Sequence, residues 1–78
     1  MPRFYIDTVK GCEETRDEDG ETYRDIVEAR QATILALPGL CDGDLPDGIT
    51  QHYRAILRDE FGKVLYTADL NFCGKWEI

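Results

Sequence analysis

The sequence predicts a small α+β fold: one antiparallel sheet in ββαββ order, with a single helix packed on one face. Three observations carry this. Aromatic and β-branched residues fill 3–9, an apolar stripe at helical spacing follows Asp25, and two alternating runs flank the tight segment 59–62.

Residues 3–9 (Arg-Phe-Tyr-Ile-Asp-Thr-Val) suit a strand. Phe4, Ile6 and Thr8 share the face expected to be core, because the other face carries Asp7. Residues 10–14 read as a turn or irregular loop. Asp19-Gly20 is a strong turn signal, since glycine readily takes positive φ. A short strand is expected after it, over 22–24, completing an N-terminal strand pair.

Asp25 suits the N-cap of the helix, and Glu28 three positions on makes an Asp variant of the capping box. Ile26, Ala29, Thr33 and Leu37 form the stripe. Val27 and Ile34 flank one side of it and Ala32 and Ala36 the other, while Leu35 points away. Pro38 removes a backbone donor and crowds the preceding turn. Two readings remain open beyond it: a kinked helix running to about residue 44, or a break with a second short turn.

Residues 45–48 (Leu-Pro-Asp-Gly) read as a turn, and 51–58 as a strand. Tyr53, Ala55 and Leu57 face one way; His52, Arg54, Ile56 and Arg58 face the other. The loop 59–62 places Gly62 at the left-handed position that closes a hairpin after a type I turn. Residues 63–72 form the last strand. Val64, Tyr66, Ala68, Leu70 and Phe72 are expected under the helix, and Trp76 and Ile78 in the tail want cover.

Seventy-eight residues make a single domain, 1–78. A chain this small leaves a second apolar face to be covered by a partner, so a homodimer is expected. The formal charge is −7. Double-stranded nucleic acid and anionic membrane, which recruit Lys and Arg, are poor partners for it. Cys12, Cys41 and Cys73 are odd in number and widely spaced, which predicts reduced thiols in a reducing compartment. With no apolar run that reads as a signal peptide or a span, the expected location is cytoplasmic.

No group of residues demands a particular chemistry. His52 is the sole histidine and no paired Cys/His spacing exists, so neither a zinc site nor any cofactor is expected. With Gly20 as the sixth position of an EF-hand loop, Ile26 falls where a bidentate Glu is required. A looser cation site would draw on the acidic loop 17–21 with Asp42, Asp44 and Asp47. His52 lacks any spacing to a cysteine that suggests nucleophilic catalysis. His52, Arg54 and Arg58 cluster on the open face of the C-terminal hairpin, with Ile56 and Leu65 as two apolar residues among them. Those five are the candidate interface, because apolar residues on a wet face point to burial against a partner. The alternative is an ordinary solvated face with a cross-strand pair from Arg54 or Arg58 to Asp69.

The opening Met-Pro-Arg-Phe-Tyr, the acidic turn 17–20, Asp25 with Ala29 and Ala32, Leu45-Pro46-Asp47-Gly48, and Arg58-Asp59-Glu60-Phe61-Gly62 occur in that order. Together they resemble a family of short proteins from alphaproteobacteria, rhizobia and their relatives, a domain of unknown function (DUF6894-like). The resemblance covers most of the chain and departs at the tail, 73–78. It implies no activity and supplies no catalytic residue. The expected function is therefore a non-enzymatic interaction or regulatory module working through protein–protein contacts. The alternative is a small-ligand or cation-binding domain using the acidic loops.

Overall fold

The computed structural model describes residues 2–41 and 50–77. The turn expected at 45–48, the acids Asp42, Asp44 and Asp47, and Ile78 lie outside them. The elements are β1 (Arg3–Lys10), β2 (Glu13–Thr15), β3 (Glu21–Thr22), α1 (Ile26–Cys41), β4 (Thr50–Asp59) and β5 (Val64–Cys73). They build the antiparallel sheet and single helix of an α+β fold. The sheet order is β2-β1-β4-β5, with β3 also paired to β1.

The N-terminal strand pair is more divided than its sequence suggests. The partner of β1 arrives as two short pieces on one edge. Thr8 pairs with Thr15 in β2, and Arg3 with Thr22 in β3. The hairpin turn lies at Gly11-Cys12, inside the stretch read as irregular, where Gly11 has φ +63°. Asp19-Gly20 closes a loop between β2 and β3 instead of a hairpin, with Gly20 at φ +67°.

Helix α1 starts as expected. The Asp25 carboxylate accepts the Glu28 N–H at 2.9 Å, capping one of the orphan donors of the first turn. The reciprocal bond goes from Arg24 N–H, not Asp25, to Glu28 Oε1 at 3.4 Å. The helix continues through Pro38 to Cys41. Its buried stripe is Ala29, Thr33 and Leu37, with Ala32, Ala36 and Leu40 beside it. Ile26, expected in that stripe, stands exposed with Val27, Ile34 and Leu35. The small residues let the helix lie close on the sheet, and this rotates the larger apolar side chains outward. Thr33 is tolerated in the core because its hydroxyl donates to the Ala29 carbonyl at 2.8 Å.

Two clusters form the core. Phe4, Ala29 and Leu57 make one, and Leu37, Tyr53 and Ala55 the other, with Ile6 touching both. The alternation along β4 holds throughout: Tyr53, Ala55 and Leu57 are buried under the helix. The hairpin turn also forms as its residues require. Gly62 has φ +87° and its N–H reaches the Asp59 carbonyl at 3.1 Å, while Asp59 Oδ1 accepts the N–H groups of Phe61 and Lys63.

Strand β5 departs from expectation. Of its five residues expected under the helix, only Tyr66 and Ala68 pack against a core cluster. Leu70 and Phe72 are 39% and 45% exposed, and Val64 54%. A 16-residue helix is about 24 Å long, whereas a ten-residue strand runs about 34 Å, so the helix cannot cover the whole strand. A register shift adds to this. Leu57 faces Tyr66, but Arg58 faces Val64, which leaves Leu65 as the extra residue of a bulge. Leu65 and Tyr66, neighbours in sequence, both pack against the Phe4–Ala29–Leu57 cluster. Leu65 therefore belongs to the core side, and Val64 to the open face opposite Arg58.

Candidate functional site

The open face is organised by a carboxylate that the sequence marks only as polar. Asp7 is buried at 4% exposure. Arg58, on the neighbouring strand β4, holds it in a two-point grip: Nε donates to Asp7 Oδ2 at 2.6 Å and Nη2 to Oδ1 at 2.9 Å. Arg58 Nη2 also donates to the Asp17 carbonyl at 3.0 Å, and the guanidinium lies 5.1 Å from the Tyr5 ring centre. Burial would push the Asp7 carboxyl up. The hydrogen bonds from Arg58 and from the Asp17 N–H, with the Arg58 charge, outweigh it and hold the group below its ordinary value. The same hydrogen bonding to Asp7 raises Arg58 further.

This pair anchors the acidic loop. The Asp17 N–H donates to Asp7 Oδ1 at 2.9 Å. The Asp17 carboxylate in turn accepts the Ile6 N–H at 3.0 Å and the Gly20 N–H at 3.0 Å. It thus supplies the acceptor that a continuous strand would have offered Ile6 in the gap between β2 and β3. Arg3 Nη1 closes the far side on the Asp19 carbonyl at 2.6 Å. A side chain on Gly20 would meet the Tyr5 ring and the Phe4 carbonyl oxygen at 2.7–2.8 Å. The repeated Arg-Asp-Glu-x-Gly at 16–20 and 58–62 therefore has two unrelated uses, an edge loop and a hairpin turn.

The structure divides the five candidate interface residues. His52 and Arg54 converge on Asp69, at 3.1 Å and 2.6 Å. Hydrogen bonds from Arg54 first, then His52, draw the Asp69 carboxyl down. This is the cross-strand pair that the alternative reading, an ordinary solvated face, predicts from Arg54. Ile56 is half-buried on the same face. Arg58 is committed to Asp7, and Leu65 to the core side. Of the five, His52, Arg54 and Ile56 are the ones that remain on the open face outside the Asp7–Arg58 pair and the core. Asp7 is the residue that spacing alone did not single out, and Asp17, read as part of a loose cation site, instead accepts backbone N–H groups. The one available signal was an acid inside an aromatic and β-branched strand.

Beyond Asn71, Phe72 and Cys73, a shallow concavity of about 430 Å³ is shared with Thr50, Gln51 and His52. It holds no paired acid and base. Cys12 and Cys73 are exposed free thiols. Among the described residues, no group of three or more His, Cys, Asp or Glu side chains is placed to hold a metal ion. Among them too, no helix is long and apolar enough to cross a membrane.

The single most exposed apolar side chains are Trp76, for which the sequence predicts cover, and Phe61, at 88% and 87%; a longer apolar surface runs along the free side of β5. Its inner side pairs with β4, and among the described residues no strand pairs with its outer side. Helix α1 borders this side. Arg30 lies 5.6 Å over the Tyr66 ring, so the helix flank carrying Arg30 stands above β5. Val27 and Ile34, three residues before and four after Arg30, share that flank and are exposed. One wall of the molecule therefore joins an open strand edge to Val27 and Ile34 above it, with Leu70 and Phe72 along the strand.

No curated protein and no solved structure matches the chain. A family described as "Domain of unknown function (DUF6894)" matches residues 3–71. That span includes every strand but the last two residues of β5, together with the whole helix, and the chain belongs to this family.

Proposed function

We propose that this domain is a non-enzymatic protein-interaction module, acting in a reducing, cytoplasmic setting, whose docking element is the β5 edge with the adjoining helix flank. The observation that carries this reading is the outer side of β5. Its ten residues form a strand with no partner on that side among those described, and it exposes Leu70 and Phe72. Unpaired strand N–H and C=O groups are a ready template for an added strand, and natural sheets usually blunt them. On the adjoining open face, His52 and Arg54 provide the polar border of such a contact, with Ile56 as an apolar neighbour. The acidic loop supports a ligand site less well, because both oxygens of the Asp17 carboxylate already accept backbone N–H groups.

The test is site-specific photo-crosslinking in living cells. A photoreactive residue at Thr67 or Asn71 is expected to form discrete polypeptide adducts, while one at Glu18 on the opposite edge forms none. Equal labelling at all three positions, or none at any, would overturn the reading.

A further inference from the structure

We infer that the partner received by β5 is a second copy of this chain, added antiparallel about a two-fold axis through Ala68. This rests on the reading of β5 as the docking element and names its occupant.

Charge decides which edge can meet its own copy. The chain carries −7, yet residues 64–73 contain one acid, Asp69, already paired with Arg54 and His52. The opposite edge presents Glu13, Glu14, Glu18, Asp19 and Glu21, and two such edges would repel. Within an acidic molecule, β5 is the strand edge a second copy can approach without that penalty.

Register decides where the axis lies. A two-fold perpendicular to the sheet keeps both helices on one side, and it must pair residues of the same face. Centred on Ala68, it sets Tyr66 against Leu70 and Thr67 against Asp69, and reaches the bulge only beyond them, where Leu65 would face Asn71 and Val64 face Phe72. Within those five residues the helix-side contacts, Ala68 with its copy and Tyr66 with Leu70, are apolar or aromatic. Centred on Asp69, it places two carboxylates directly opposite one another. Centred on Thr67, it meets the bulge two residues from the axis, setting core-side Leu65 against open-face Asp69 and leaving a matched ladder of only three residues. Centred on Leu70, it pairs Tyr66 with Gly74, beyond the end of the strand.

The helices select the same axis. Arg30 covers Tyr66, and Leu37 shares a cluster with Ala68, so Ile34 stands level with Ala68. Two helices seated over β4 would lie about 14 Å apart across the paired β5 strands. That is wider than the ~8–10 Å of bare helix packing, and the flanks of Val27, Arg30 and Ile34 fill the difference. The wall offered by each copy is about 34 Å along β5 and no deeper than the molecule's 20 Å extent, so at most about 680 Å², somewhat below the ~800 Å² per partner of a standard interface.

Sedimentation equilibrium from low micromolar to submillimolar concentration should show the mass rising from 8.9 kDa to twice that value. Leu70→Lys and Ile34→Lys should each weaken association by roughly tenfold or more. Leu35→Lys on the outer helix face and Glu18→Lys on the acidic edge should leave it unchanged. Circular dichroism checks that each variant is folded. In a dimer of mixed labelled and unlabelled chains, intermolecular NOEs should join the Tyr66 ring to the Leu70 methyls. A dimer indifferent to Leu70→Lys, or NOEs from another surface, would overturn the proposal. A strict monomer whose Thr67 crosslinks to a different polypeptide would also overturn it while sparing the module reading. A strict monomer with no adducts removes both.

Discussion

The two edges of this sheet are built on opposite rules. The β1 edge is covered by fragments of three and two residues, separated by a loop whose Asp17 carboxylate takes the Ile6 N–H that a continuous strand would have bonded. Acids line it, and a buried Arg58–Asp7 pair fixes it from beneath. The β5 edge has one continuous ten-residue strand and one acid already paired. Closing an edge takes specific, interlocked polar groups. The other edge is a strand with no partner on its outer side among the described residues, and its far end also runs beyond the cover of the helix. The difference separates a flank closed by contacts within the chain from the flank on which the proposed docking rests.

Breaking the closed edge should have the largest effect. Arg58→Met leaves the buried Asp7 carboxylate without its partner and should cost about 3–5 kcal/mol of stability in urea unfolding. The double variant Asp7→Asn, Arg58→Met should recover part of that loss, because no uncompensated charge remains. Amide exchange at Ile6, Asp17 and Gly20 should accelerate in the single variant. Gly20→Ala should cost about 2 kcal/mol, since a Cβ at φ +67° is strained and also meets the Phe4 carbonyl.

Acid should act on the same edge. The folded Asp7 carboxyl lies below its ordinary value of 3.8, so the folded chain holds fewer protons at this site than the unfolded chain as pH falls. Its contribution is complete above that ordinary value and is lost as pH drops through the lower folded one. Stability plotted against pH should fall more steeply below about pH 4 in the natural chain than in Asp7→Asn. The smallest effect on the folded monomer should come at the open edge. Leu70→Lys, at a half-exposed position, should shift monomer stability by no more than about 0.5 kcal/mol. Its consequence should be confined to association, and a large loss of monomer stability would show that β5 belongs to the core.

Much of this contrast is visible in the sequence, though unevenly. The β4–β5 hairpin is legible from alternation and Gly62, and the start of α1 from Asp25 and Glu28, because caps, turns and periodicity are local. The stripe of α1 is legible only in part. Helical spacing groups Ile26 with Ala29, Thr33 and Leu37, but the side pressed to the sheet is the one whose small residues allow close approach. Leu65 is misplaced by alternation because a one-residue bulge has no sequence mark here, and it turns every residue on its far side over. Arg58 looks like an exposed cation until Asp7, 51 positions away, is seen beside it.

By itself, then, the sequence determined the α+β class, the helix start, the hairpin, the faces of β4 and the acidic charge balance. Those properties come from propensity, periodicity and composition, which act over a few residues. The tertiary structure alone decided that Asp7 is buried with Arg58, that Asp17 stands in for a strand, and that β5 overruns its helix and, among the described residues, pairs with no strand on its outer side. These depend on register and on the relative lengths of packed elements, and contacts between distant residues exist only once the sheet has closed around them.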